Sequence, residues 1–81
     1  MQIVVMELEV GGEIKREVHE NFYQLIRVES GVCVVETSDK EKIELVENQC
    51  IVIPPGAEHH VYNTSTQNFL KLSVIYSSAK R

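Results

Sequence analysis

Residues 54–63 read Pro54-Pro55-Gly56-Ala57-Glu58-His59-His60-Val61-Tyr62-Asn63, and this stretch decides how the chain is organised. Two prolines end the apolar run Cys50-Ile51-Val52-Ile53, because proline offers no amide proton to a central sheet ladder. Gly56 supplies a tight loop. The chain then re-enters an extended segment with His59 at its mouth, and Asn63 closes that segment with an amide suited to a turn. A rigid loop therefore delivers an imidazole into whatever the strands enclose. His60, the next residue, points to the opposite face of the strand together with Tyr62, so it reads as an outward residue and not as a ligand.

Short extended runs flank this stretch on both sides at nearly even spacing. Ile3 to Val10 sets Met6, Leu8 and Val10 against Glu7 and Glu9, as a half-buried strand does. After Gly11-Gly12 comes Ile14 to His19, then a turn at Glu20-Asn21. Phe22 to Glu29 places Phe22, Gln24, Ile26 and Val28 on one face and Tyr23, Leu25, Arg27 and Glu29 on the other, where Arg27 and Glu29 belong to a solvated or dimer surface. Val32 to Thr37, Lys42 to Val46, the unbroken apolar run Cys50 to Ile53, His59 to Tyr62 and Phe69 to Tyr76 complete the set. The run at Cys50 suggests burial on both faces. No segment shows a helical apolar period, and Ser77 to Arg81 reads as a frayed tail. About eight short strands predict an all-β, antiparallel domain, closed or sandwiched around one core.

With 81 residues the expectation is a single domain, residues 1–81. A net charge of -4 and no basic cluster beyond Lys80-Arg81 argue against a nucleic-acid partner. No apolar run is long enough to span a membrane, and the first residues lack the basic start of a secretion signal. The expected location is cytoplasmic, with Cys33 and Cys50 reduced and buried as small apolar side chains; the alternatives are a disulfide between them or a thiol facing the site.

A second stretch gives His59 company. Glu17 and His19 are two apart and so share a face of a strand. Gln24, on the next strand, is the one polar residue of an inward face, and a buried amide needs partners.

Taken together, the two stretches resemble those of a small single-domain cupin, a double-stranded β-helix or jelly-roll barrel. That family's first motif is glycine, five residues, His-x-His, three or four residues, glutamate, six residues, glycine. Gly11, Glu17, His19, Gln24 and Gly31 stand at these positions. The second motif is glycine, five residues, Pro-x-Gly, two residues, histidine, three residues, asparagine, and Asn48, Pro54, Gly56, His59 and Asn63 stand there. The motifs occupy about 11–31 and 48–63. Asn48 replaces a glycine, a mild change because asparagine tolerates the left-handed backbone region. Glu17 replaces the first histidine and Gln24 the glutamate, so the carboxylate has changed places while the formal charge is kept. The Glu-x-His-x4-Gln form, with Leu70-Lys71-Leu72 and Ile75-Tyr76-Ser77, is similar to a bacterial subgroup labelled mannose-6-phosphate-isomerase-like.

The resemblance implies a divalent transition metal, Fe, Mn, Co, Ni or Zn, held by Glu17, His19, Gln24 and His59. It implies a small-molecule ligand in the barrel and dioxygenase-like or isomerase-like chemistry on it. The alternatives are a cup that binds a small molecule or sugar without catalysis, a sensor whose metal stabilises the barrel, and a metal-free cup in which Glu17 and Gln24 bond each other. Apolar residues on both faces of Val32 to Val35 and Cys50 to Ile53 further predict a two-fold homodimer, with Ile3 to Val10 the segment most able to cross over.

Overall fold

A computed structural model describes residues 1–78. The chain forms eight strands: β1 (Gln2–Leu8), β2 (Glu13–Glu17), β3 (Phe22–Ser30), β4 (Val32–Thr37), β5 (Lys42–Val46), β6 (Cys50–Ile53), β7 (His59–Asn63) and β8 (Leu70–Ser78). They make two antiparallel sheets, ordered β1-β8-β3-β6 and β2-β7-β4-β5. The all-β, antiparallel expectation holds, and apart from the β4–β5 hairpin, successive strands alternate between sheets as in a jelly roll. Among the described residues no helix is long and apolar enough to cross a membrane.

The period-two pattern fills the space between the sheets. Ile26 and Val28 from β3, Cys33 and Val35 from β4, Val61 from β7, and Leu70, Leu72 and Val74 from β8 are fully buried; Leu45 and Ile53 complete the core. Each fully buried Val, Leu or Ile contributes about 1.5–3 kcal/mol. Strand β8 can lie centrally in its sheet because Leu70, Leu72 and Val74 face inward while Lys71 and Ser73 face out.

Several expectations need correction. Cys50 to Ile53 is not buried on both faces: β6 is an edge strand, Ile53 is buried, and Cys50 and Val52 are exposed. An apolar run without a period can equally belong to an edge strand whose outer side is uncovered within the chain. Cys50 is accordingly not the buried side chain expected. Cys33 is buried, and burial pushes its thiol up to about 11. Both cysteines are free. Strand β2 stops at Glu17, so Val18 and His19 lie beyond it. Ser77 and Ser78 belong to β8 and not to a frayed tail, while residues 79–81 of that tail lie outside the described residues.

The turn residues act where backbone geometry demands them. Asn48 takes φ of 71°, the left-handed conformation foreseen for it, and its Oδ1 accepts a bond from Arg27 at 2.9 Å. At Gly31, with φ of 99°, a Cβ would sit 2.8 Å from the Phe69 carbonyl oxygen, so a side chain is excluded there.

Candidate metal centre

The site lies where the last inward-facing rows of the two sheets meet at one end of the barrel. In one sheet Gln2, Tyr76, Gln24 and Ile53 stand side by side on β1, β8, β3 and β6. In the other, Glu17, His59 and Thr37 stand side by side on β2, β7 and β4. A register shift puts Glu17 into that row. From Ile14 to Glu17 the chain advances three residues, while its partners advance only from Val61 to His59. In a regular strand, Ile14 and Glu17 would face opposite ways. A bulge absorbs the odd residue, so Ile14 packs against the core and Glu17 still turns inward.

The Pro54–Asn63 stretch is fastened at both ends. At its start the Ala57 amide donates to the Pro54 carbonyl, and Gly56, at φ of 81°, donates its amide to the His19 carbonyl at 2.9 Å. That bond ties the loop before His59 to the backbone of His19. At its end, Asn63 is buried, and its Nδ2 donates to the carbonyls of Leu8, Glu9 and Asn68 at 3.0–3.3 Å. Its Oδ1 accepts from the Ser65 amide at 2.9 Å. Asn63 thus clamps two loops at the barrel end opposite the site and stands away from it.

Glu17, His19 and His59 offer ligand atoms that all lie within 4.8 Å of one another. The Glu17 Oε1 is 3.7 Å from His19 Nε2 and 4.0 Å from His59 Nε2. His59 is 1% exposed, and its Nδ1 lies 3.2 Å from the Ala57 carbonyl oxygen. A carbonyl can only accept, so Nδ1 carries the proton, which in the neutral form of the ring leaves the Nε2 lone pair free for the site. This is the arrangement by which an outer partner orients a metal-ligating histidine.

Gln24, 2% exposed, comes from the facing sheet. Three buried atoms among the described residues have no hydrogen-bond partner: His19 Nε2, His59 Nε2 and Gln24 Oε1. Buried polar atoms are nearly always paired, since leaving one bare costs about 1–3 kcal/mol. All three belong to the ligand set that the resemblance implies, and an amide oxygen or an unprotonated imidazole nitrogen is a lone-pair donor of the kind a divalent cation accepts. The Glu17–His19–His59 cluster therefore fits a transition-metal ion with two imidazoles and one carboxylate.

Tyr76 was legible as part of the inward series Leu70, Leu72, Val74, but its place at the site was not. Its ring meets His19 edge-on at 5.5 Å between centroids. Burial, and then the negative charge of Glu17, push its phenol above the usual value, so it stays protonated at neutral pH. His60 faces outward as expected, between Glu13 at 3.5 Å and Glu36 at 3.7 Å, with Tyr62 on the same face.

The family described as "Cupin domain" matches residues 4–76. The uncharacterized protein L612 of Acanthamoeba polyphaga mimivirus is 41% identical over 80 residues, covering 96% of this chain and 50% of its own length. The crystal structure of BH2720 from Bacillus halodurans superimposes with a TM-score of 0.88 at 33% identity, over 99% of this chain and 64% of that one. A predicted oxalate decarboxylase from Thermotoga maritima superimposes with a TM-score of 0.87 over 94% of this chain and 64% of that one, but at 16% identity it shows the fold alone. The chain spans about half the length of the curated relatives it matches.

Proposed function

The chain belongs to the cupin family, and from that premise we propose that it is a metal-binding cup acting on a small molecule held at the open end of its barrel. The observation that carries this reading is that Glu17, His19 and His59 bring ligand atoms within 4.8 Å of one another, with His19 Nε2 and His59 Nε2 buried and unpaired; Gln24 Oε1, on the facing sheet, is likewise buried and unpaired. Glu17, His19, Gln24 and His59 would hold one divalent ion of the Fe, Mn, Co, Ni or Zn type. When bound, such an ion supplies Lewis-acid or redox chemistry of the dioxygenase or isomerase kind. The chain's own residues orient it: Ala57 fixes the His59 tautomer, and Gly56 holds the His19 backbone.

A second reading, a cup that binds without catalysis, draws on one observation. Among the described residues in contact with the proposed ligands, Tyr76 is the sole proton-bearing group outside the ligand set with a ring against a ligand, and its phenol is held protonated. A proton-transfer reaction near neutral pH works best with a group titrating close to that pH.

We extend the proposal to a two-fold homodimer in the cytoplasm. Its support is the outer face of the β1-β8-β3-β6 sheet, where Ile3, Ile75, Leu25 and Val52 form one apolar row across all four strands. Ile3 and Val52 are more than half exposed. Exposed rows of this kind are normally covered by a partner. The free cysteines accord with a reducing compartment.

The experiment is metal uptake measured by elemental analysis after equilibrium dialysis. The parent protein should retain about one divalent ion per chain, and His59→Ala should lose it. Equal retention by His59→Ala would refute the assignment.

A further inference from the structure

The cleft beside the candidate metal centre has a volume of about 350 Å³ and is lined by Gln2, Val4, His19, Phe22 and Tyr76. That is near the lower end for ligand sites, which run roughly 300–1,000 Å³. None of the five is a lysine or arginine, and none is acidic. Two of them, with His19, form a run of rings: Phe22 meets Tyr76 at 6.5 Å and 82°, and Tyr76 meets His19 at 5.5 Å and 74°. Phe22 opens the inward series of β3, yet it is 42% exposed, and among the described residues no further row of side chains lies above it. Among the described residues, a good part of the Phe22 ring is thus left uncovered at the mouth. Gln2 is the one uncharged amide at the rim.

We propose that the cleft takes a small aromatic monoanion, a single ring carrying one carboxylate or phenolate group. Its ring lies against Phe22 and Tyr76, and its anionic group enters at the Glu17–His19–His59 end. The proposal rests on the metal reading above. A divalent cation beside one carboxylate leaves one net positive charge, which one anionic group on the ligand balances. The edge-to-face rings favour a flat apolar body, since aromatic pairs gain from offset and edge contacts beyond the area they bury. A phosphorylated sugar is the wrong shape and charge. Its dianion would find no lysine or arginine among the lining residues, and its hydroxyls would be desolvated against Val4 and Phe22. Specificity therefore resides in the mouth of the cup, and the metal end sets only the charge.

The test begins by loading the protein with Co²⁺ and measuring the metal bound per chain. Isothermal titration at neutral pH then compares benzoate with acetate, benzamide and mannose 6-phosphate. Benzoate should bind at least tenfold more tightly than each of the other three. It should also perturb the visible absorption of the bound Co²⁺. Phe22→Ala should weaken benzoate at least fivefold, while acetate binding and metal content stay the same. If the protein holds Co²⁺ but acetate or mannose 6-phosphate matches benzoate, or none binds, the ligand class is wrong and the metal reading stands. If the protein takes up no metal, the metal reading fails and this proposal falls with it.

Discussion

Replacing Gln24 by leucine should make the metal-free protein more stable and the metal-loaded protein less so. Gln24 is 2% exposed, and its Oε1 has no hydrogen-bond partner. A buried acceptor without a partner costs about 1–3 kcal/mol. Leucine has similar volume, keeps the chain's direction towards Ile26 and Ile53, and removes that oxygen. The neighbours Ile53 and Tyr76 on β6 and β8 offer it apolar surface. The net gain expected without metal is about 1–2 kcal/mol, after allowing for an imperfect fit of the branched side chain. In a domain of this size each kcal/mol moves the melting temperature by about 4–8 °C. Thermal unfolding in chelator should therefore show Gln24→Leu melting roughly 5–15 °C above the parent. With metal added the order should reverse, because the parent gains binding energy that the variant has forfeited. If Gln24→Leu is less stable than the parent in chelator, the oxygen is paired in solution and its role as a waiting ligand is refuted.

Exchanging charge within the site should rank the two departures from the family motif. Glu17→Gln should weaken metal binding by more than the roughly 10–100-fold that loss of an outer partner costs, whereas Gln24→Glu should preserve or strengthen it; equilibrium dialysis showing the reverse order would take Glu17 away from the metal. Asn63→Asp should unfold in urea more easily than Asn63→Ala, because it sets a carboxylate against the three carbonyl oxygens that Nδ2 now serves. The expected loss for Asp is about 3–5 kcal/mol, and stability equal to the parent would deny the clamp. Light scattering at micromolar concentration should give about twice the chain mass of 9.2 kDa, and Val52→Lys should lower it towards one. A folded monomer of the parent at that concentration would end the dimer reading.

The outline of the barrel was legible because period-two alternation leaves few choices. Met6 and Leu8, Ile26 and Val28, and Leu70, Leu72 and Val74 face inward as their spacing says. Asn48 was readable because its side chain tolerates the backbone angle the turn needs. What the sequence hid were features set by pairing between strands distant along the chain. The bulge in β2 is one of these. Ile14, Lys15, Arg16 and Glu17 carry no glycine or proline to mark it, and only the register against Val61 and His59 shows the odd residue. The edge position of β6 is another, since Cys50 to Ile53 reads the same in a buried strand as in one with an uncovered outer face. The place of Tyr76 is the third: its inward direction follows from spacing, but its neighbours Gln2 and Gln24 lie on strands more than fifty residues away.

The same pairing explains why the site can change its ligands without losing its fold. Glu17 and His59 stand at strand ends and Gln24 and Tyr76 two residues in from theirs, one row beyond the fully buried layer of Ile26, Val35, Val61 and Val74. That layer supplies the packing energy, and Asn63 fastens the far end through loop carbonyls. Moving a carboxylate from one of these end positions to another leaves both intact. The cost of the arrangement is borne at the rim, in three lone-pair donors left unpaired and in Phe22 left half uncovered. Natural cores rarely keep such defects, and on the reading proposed above they are where an ion and a ring would sit.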